Sequence, residues 1–234
     1  MTHSVFLVLS QNAALLIAML FIYDFISRQW NTENQHLKDI TTGVIVGLIV
    51  TVIMLTSWHY EEGIIFDTRS VLLGVSGLCL GITPTSIALL IAISVRIYLG
   101  GEGTIPGIGI IISSGIIGIL WRTYRHSKNL VNLSLKELWF FGFILHLAYL
   151  SSVFLFPIDK GLQILQIIFI PVLLVYPLAT MMLSFLFINR LKQIHLSKDL
   201  VISEERMKGL YYHAPAAIWE EDWSEVKAAI KEIQ

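Results

Sequence analysis

The chain has 234 residues, 55% of them hydrophobic and 14% charged, with a net charge of −1 and a mean hydropathy of +0.72. Soluble domains carry about a quarter charged residues, so this composition excludes an ordinary soluble globule, and the near-neutral balance excludes a basic field aimed at nucleic acid. Cys79 is the single cysteine, which excludes an intramolecular disulfide and a Cys-x-x-Cys metal site.

The N-terminal stretch lacks the basic start and small-residue cleavage site of a signal peptide and reads as a retained helix. A helical span needs roughly 20 mostly apolar residues. Seven apolar segments follow in chain order, at 4–26, 40–57, 70–82, 84–99, 107–121, 137–156 and 164–189, with the third to fifth short. The predicted fold class is an all-α polytopic membrane bundle. Basic residues gather after the first segment (Arg28, Lys38), after the fifth (Arg122, Arg125, Lys128) and after the last (Arg190, Lys192). The remaining connections, 59–67, 100–107 and 157–161, are acidic or neutral. Positive charge marks the cytoplasmic side, so seven crossings put the N-terminus outside and the C-terminus inside the cell membrane. Six crossings, with 70–99 as one helix, would reverse that bias. Gly43/Gly47 and Gly77/Gly81 repeat at four-residue spacing, which lets helix backbones approach closely in lipid.

"FDTRSVLLGVSGLCLGITPTSIALLIAISVRIYLGG", residues 66–101, keeps an arginine near each end, Arg69 and Arg96. If two helices reverse at 82–85, with Pro84 in the first turn of the second, each arginine stands roughly 20 Å from the turn at about 1.5 Å per residue. Two guanidinium groups at one level repel each other, and each costs a few kcal/mol to lodge in an apolar region. An anion held by both forks would offset that. The loop that follows, "YLGGEGTIPG", offers exposed backbone N–H groups beside them. The expected ligand-binding residues are Arg69 and Arg96, with Asp67, Ser70, Gly100, Gly101, Glu102 and Gly107 around them. Two competing readings stand: Asp67 pairs with Arg69 and caps the helix, or the arginines reach lipid phosphates.

The seven histidines are scattered, with no pair on one helix face, so no metal and no cofactor is expected. His146, within an apolar segment, reads as a hydrogen bonder inside the bundle, with pocket lining as the alternative. Ser113 and Ser114 read as bonding their own helix. No nucleophile–base pair, P-loop or kinase signature is present, so the chain itself is expected to be no enzyme. After the last segment, Ile188, Leu191, Ile194 and Leu200 form a loose apolar stripe on a helix that leaves the membrane, suited to pairing with a second copy.

The stretches "FDTRSVLLGVSGL" (66–78), "ITPTSIALLIAISVRIYLGGEG" (82–103) and "GIIISSGIIGILWR" (109–122) resemble the membrane input domain of LytS/YhcK-type five-transmembrane receptors over most of 40–190. "LYYHAPAAIWEEDWSEVKAAIKEI" (210–233) is similar to the opening of a PAS domain. The resemblance implies a transmembrane sensor domain at 1–190, a cytoplasmic signalling helix at 191–209 and a truncated PAS start at 210–234. It implies a dimeric membrane receptor in contact with lipid that passes the binding of a small anionic or polar metabolite to a histidine kinase or cyclase. Some members of the group receive pyruvate, with both arginines of this motif implicated. Where those relatives place a cysteine and a serine, equal spacing here gives Gly107 and Ile110, a departure that counts against pyruvate while leaving a small anion as the implied ligand. The group is also distantly similar to substrate-binding subunits of energy-coupling-factor transporters, and a solute-binding transporter subunit is the alternative function.

Overall fold

The computed structural model describes residues 34–61, 64–125 and 132–213, together with Ala18. The first apolar segment, apart from Ala18, and most of the PAS-like segment therefore lie outside the described residues. Two compact units are distinguished, one through Lys192 and one from Gln193.

In the first unit, helix α1 spans Gln35–Leu55, and the Asn34 side chain accepts from the backbone of His36 and Leu37 to start it. A two-stranded antiparallel hairpin follows, β1 (Trp58–Glu61) and β2 (Ile64–Phe66), with an irregular register between His59 and Glu61. Then come α2 (Arg69–Cys79), α3 (Ile82–Leu99), α4 (Thr104–Arg125) and α5 (Leu135–Ser151), the last extended by a 3₁₀ turn at Ser152–Leu155. Helix α6 runs Ile158–His213, with Pro171 and Pro177 inside it.

Five helical stretches among the described residues are long and apolar enough to cross a membrane: Gln35–Leu55, Ile82–Leu99, Thr104–Arg125, Leu135–Leu155 and Ile158–Gly209. The expected fourth and fifth segments are thus not short. Residues 82–83 and 104–106 belong to the helices that follow them, because Thr and an early Pro are compatible with a first turn. The third segment is the short one. Its 11 residues cover about 16 Å, roughly half the hydrocarbon thickness.

That short helix is the centre of the bundle. All of its residues, Arg69 included, are buried, as expected of a helix that is apolar on every side. Helix α2 packs chiefly on α4, while α1 packs chiefly on α3. Glycines set both distances. A Cβ added at Gly118 on α4 would lie 2.2 Å from the Gly74 carbonyl oxygen of α2, and one at Gly77 would lie 2.8 Å from the Gly115 oxygen. A Cβ at Gly43 on α1 would meet the Pro84 oxygen of α3 at 2.7 Å. The close backbone approach therefore holds for Gly43 and Gly77, while Gly47 makes room for the Ile91 side chain of α3.

Gly81 has a different use. Its φ of 97° is a left-handed value that an L side chain rarely adopts, and it turns the chain between α2 and α3. The reversal thus lies one residue before "ITPT", which is already helical.

In the second unit, residues 193–213 are helical and Lys208 pairs with Glu204 at 2.8 Å. Leu196, Leu200, Val201, Ile202 and Met207 are exposed there.

Because the Gly118 contact is to backbone, which cannot swing aside, Gly118→Ala should destabilise the bundle by about 1–3 kcal/mol. It should also lower the thermal midpoint in nanodiscs, whereas Gly209→Ala, with open space around it, should not. Equal midpoints for the two variants would contradict the close α2–α4 packing.

Candidate functional site

The site begins where β2 runs into α2. Thr68 stands at the helix N-cap but makes no side-chain cap bond. Asp67 does that work instead: its Oδ1 accepts from the Arg69 backbone N–H at 3.0 Å and lies 3.1 Å from Arg69 Nε. The Asp67–Arg69 pairing that sequence reasoning offered as a competing reading is therefore present. Arg69 Nη2 reaches the Ile65 carbonyl at 3.5 Å. Arg69 Nη1 is buried with no hydrogen-bond partner among the described residues.

The second arginine arrives from the last turn of α3. Arg96 Nε donates to the Gly103 carbonyl at 3.3 Å, so the glycine loop folds back over the side chain that precedes it. Gly100 and Gly101 give that loop its course, with φ of 63° and 83°. Gly107, on α4, leaves room for Arg96. An added Cβ there would stand 2.6 Å from Arg96 Nε and 3.1 Å from its Cδ.

Both guanidinium groups line one cavity of about 30 Å³, and their residues are only 2% and 1% exposed. They occupy one level of the bundle and do not face lipid, so the snorkelling alternative fails. Gly103, Pro106 and Gly107 complete the cavity's wall on the glycine-loop side, and Ile64, Ile65 and Phe66 of the hairpin complete another. Tyr149 and Ser152 add polar groups from the end of α5, and Ser152 Oγ donates to the Tyr149 carbonyl at 2.6 Å. The rest of the lining, including Ile110, Val153, Ile164 and Ile168, is apolar. Holding one water takes about 10–15 Å³ on this measure. The cavity thus suits a group of a few heavy atoms, and a larger ligand requires its walls to part.

Of the eight residues singled out from sequence, Arg69, Arg96 and Gly107 line the cavity and Asp67 stands behind Arg69. The other four do not line it. Gly100 and Gly101 shape the loop. Glu102 is 65% exposed and pairs with Lys160 at the start of α6, because a carboxylate without a buried partner stays in water. Ser70 turns to α5, where its hydroxyl meets His146 Nε2 at 3.3 Å. His146 Nδ1 donates to the Gly142 carbonyl at 2.7 Å, so Nε2 of the neutral ring accepts from Ser70. That matches the reading of His146 as a bonder inside the bundle. Ser113 Oγ likewise bonds its own helix, at Ile110 O.

Sequence reasoning missed the hairpin wall, Pro106, Tyr149 and Ser152. The last two lie three and six residues beyond His146, in the same segment, so that histidine was the only signal near them. Gly107 and Ile110 both line the cavity.

The family model described as "5TMR of 5TMR-LYT" matches residues 21–190, well over half of the chain. No curated protein matches it, and no solved structure does.

Removing the Ser70 hydroxyl would leave His146 Nε2 buried without a partner, a loss of about 1–3 kcal/mol. Ser70→Ala should therefore lower the unfolding midpoint, and adding His146→Phe should recover part of the loss. A double-mutant cycle reads this coupling; strictly additive losses would contradict the bond.

Proposed function

The chain belongs to the LytS-type five-transmembrane receptor family, a family of membrane sensor domains of signalling receptors, and from that premise we propose that it receives a small anionic metabolite between Arg69 and Arg96. One observation carries this reading. Two buried arginines from different helices meet in one cavity, and Arg69 Nη1 has no hydrogen-bond partner there among the described residues. A buried guanidinium donor without an acceptor is expensive, and a carboxylate opposite it supplies the missing bonds in a charge-assisted form. The Asp67 contact does not remove this need, because Oδ1 engages the Nε and backbone N–H of Arg69 and leaves its Nη1 without an acceptor among the described residues.

The ligand class is a small carboxylate or carboxylate-like anion. Gly107 and Ile110 bring no side-chain hydroxyl or thiol to the cavity, so recognition falls to the guanidinium pair, Tyr149 and Ser152. That argues for a ligand other than pyruvate. Binding favours the packing of α2, α3 and α4 that holds both arginines on the ligand, and it acts on output only through packings that differ there. Output runs through α6 to a cytoplasmic PAS-type domain and a histidine kinase, with the receptor acting as a homodimer. The exposed apolar residues at 196–207 support helix pairing beyond the membrane.

For orientation, the distribution of Arg and Lys supports seven crossings, with the C-terminus inside and the arginine cavity near the outer face. Helix α2 supplies part of the third crossing and the extended residues before it supply the rest.

Thermal-shift screening of small carboxylates should find a stabiliser whose effect is lost in Arg69→Ala and in Arg96→Ala. Full stabilisation surviving in both variants rejects the clamp. A cysteine placed at Glu102, in a chain whose buried Cys79 has been replaced by serine, should react with an impermeant maleimide from outside intact cells. Reaction only after the cells are opened would reverse the topology.

A further inference from the structure

The arginine cavity has a built-in means of choosing among anions by charge. Asp67 lies between Phe66 and Thr68 in the chain and touches Arg69; both Phe66 and Arg69 line the cavity. Its side chain is fully buried against Arg69. Oδ1 is engaged by the Arg69 backbone N–H and Nε. Oδ2 is buried and takes no hydrogen bond among the described residues. The carboxylate ion-paired with Arg69 thus stands beside the cation that forms one wall of the site.

Capping alone does not account for an aspartate here. A cap acceptor for the Arg69 N–H is supplied equally well by asparagine, at no electrostatic cost to a ligand. The charge matters for what enters the cavity. A guanidinium pair without the Asp67 charge beside it would suit a dianion better, because with Asp67 present the second negative charge of a dianion meets an added repulsion. The geometry adds a second obstacle. Away from the arginines the lining is mostly apolar, with Ile110, Val153, Ile164 and Ile168, so a second carboxylate would be buried largely against hydrocarbon.

We propose that Asp67 is a specificity-determining residue, a resident carboxylate that restricts the arginine cavity to singly charged anions and turns away doubly charged ones of similar size. This rests on the reading of the cavity as an anion receptor, and the test separates the two claims.

The chain is reconstituted in nanodiscs and its thermal midpoint is followed while formate, acetate, oxalate and sulfate are titrated in at constant ionic strength. Wild type should be stabilised by formate or acetate and should need at least about tenfold more oxalate for the same effect. Asp67→Asn keeps the cap acceptor and deletes the charge. It should shift the oxalate-to-formate ratio toward oxalate by roughly ten- to a hundredfold, the scale of one unit charge about 6–12 Å away at an effective dielectric near 20. Asp67→Glu, which keeps the charge, should keep the wild-type order.

An unchanged ratio in Asp67→Asn overturns the role of Asp67 while leaving the anion site standing. Should that variant not fold, the wild-type order decides, and oxalate equal to or better than formate overturns the proposal. Silence from every probe in wild type and variant overturns the anion reading itself.

Discussion

Two guanidinium groups buried in a single cavity constrain everything built around them. Each arginine in an apolar region costs a few kcal/mol, and their mutual repulsion grows as water is excluded. The protein meets part of that cost with its own groups: the Asp67 carboxylate and the carbonyls of Ile65 and Gly103 all face the pair. Arg69 Nη1 is still left without an acceptor. A protein that wanted only a stable bundle would do better with leucine at both positions, since replacing buried charge by well-packed apolar groups is often neutral or stabilising. The arrangement makes sense when a negative guest is part of it.

The bundle is organised to hold those charges still. Helix α2 is too short to cross a bilayer alone, yet it is buried on every side and fixed at both ends. At its N-terminus sits the Asp67–Arg69 pair. At its C-terminus, Arg122 of α4 donates from Nη1 to the Leu78 and Cys79 carbonyls at 3.1 and 2.9 Å, which satisfies carbonyls that a helix end leaves open. Between the two ends, backbone-close glycine contacts lock α2 to α4. The cavity wall at Tyr149 is continuous with α6. Tyr149 and His146 both make edge-on ring contacts with Tyr176, at centroid distances of 6.1 and 5.3 Å, next to Pro177 in that helix. These ring contacts pack the Tyr149 wall of the cavity against that helix.

The arginine pair was legible in the sequence because helix rise and the position of a turn suffice to put two residues at one height, and that arithmetic survived moving the turn to Gly81. Membrane character was legible from composition, and close packing from glycine spacing. The hairpin was not, since strands of three and four residues have too little alternation to stand out beside a helical run. Glu102 was misplaced from the cavity because proximity in sequence to Gly103 says nothing about which way a loop side chain turns. Ser70 was drawn toward the cavity by its neighbour Arg69, although consecutive helical residues point about 100° apart. Tyr149 and Ser152 come from a helix distant in sequence, and their arrival at the cavity depends on how α5 packs, which no local pattern encodes.

The most direct test of the central claim is an anomalous-scattering map from crystals of the chain grown in bromide, a monovalent anion small enough for the cavity. The expected result is a bromide peak within hydrogen-bonding reach of both Arg69 and Arg96. Guanidinium groups that remain together in the cavity with no anion between them, at bromide concentrations that label other sites, would contradict it.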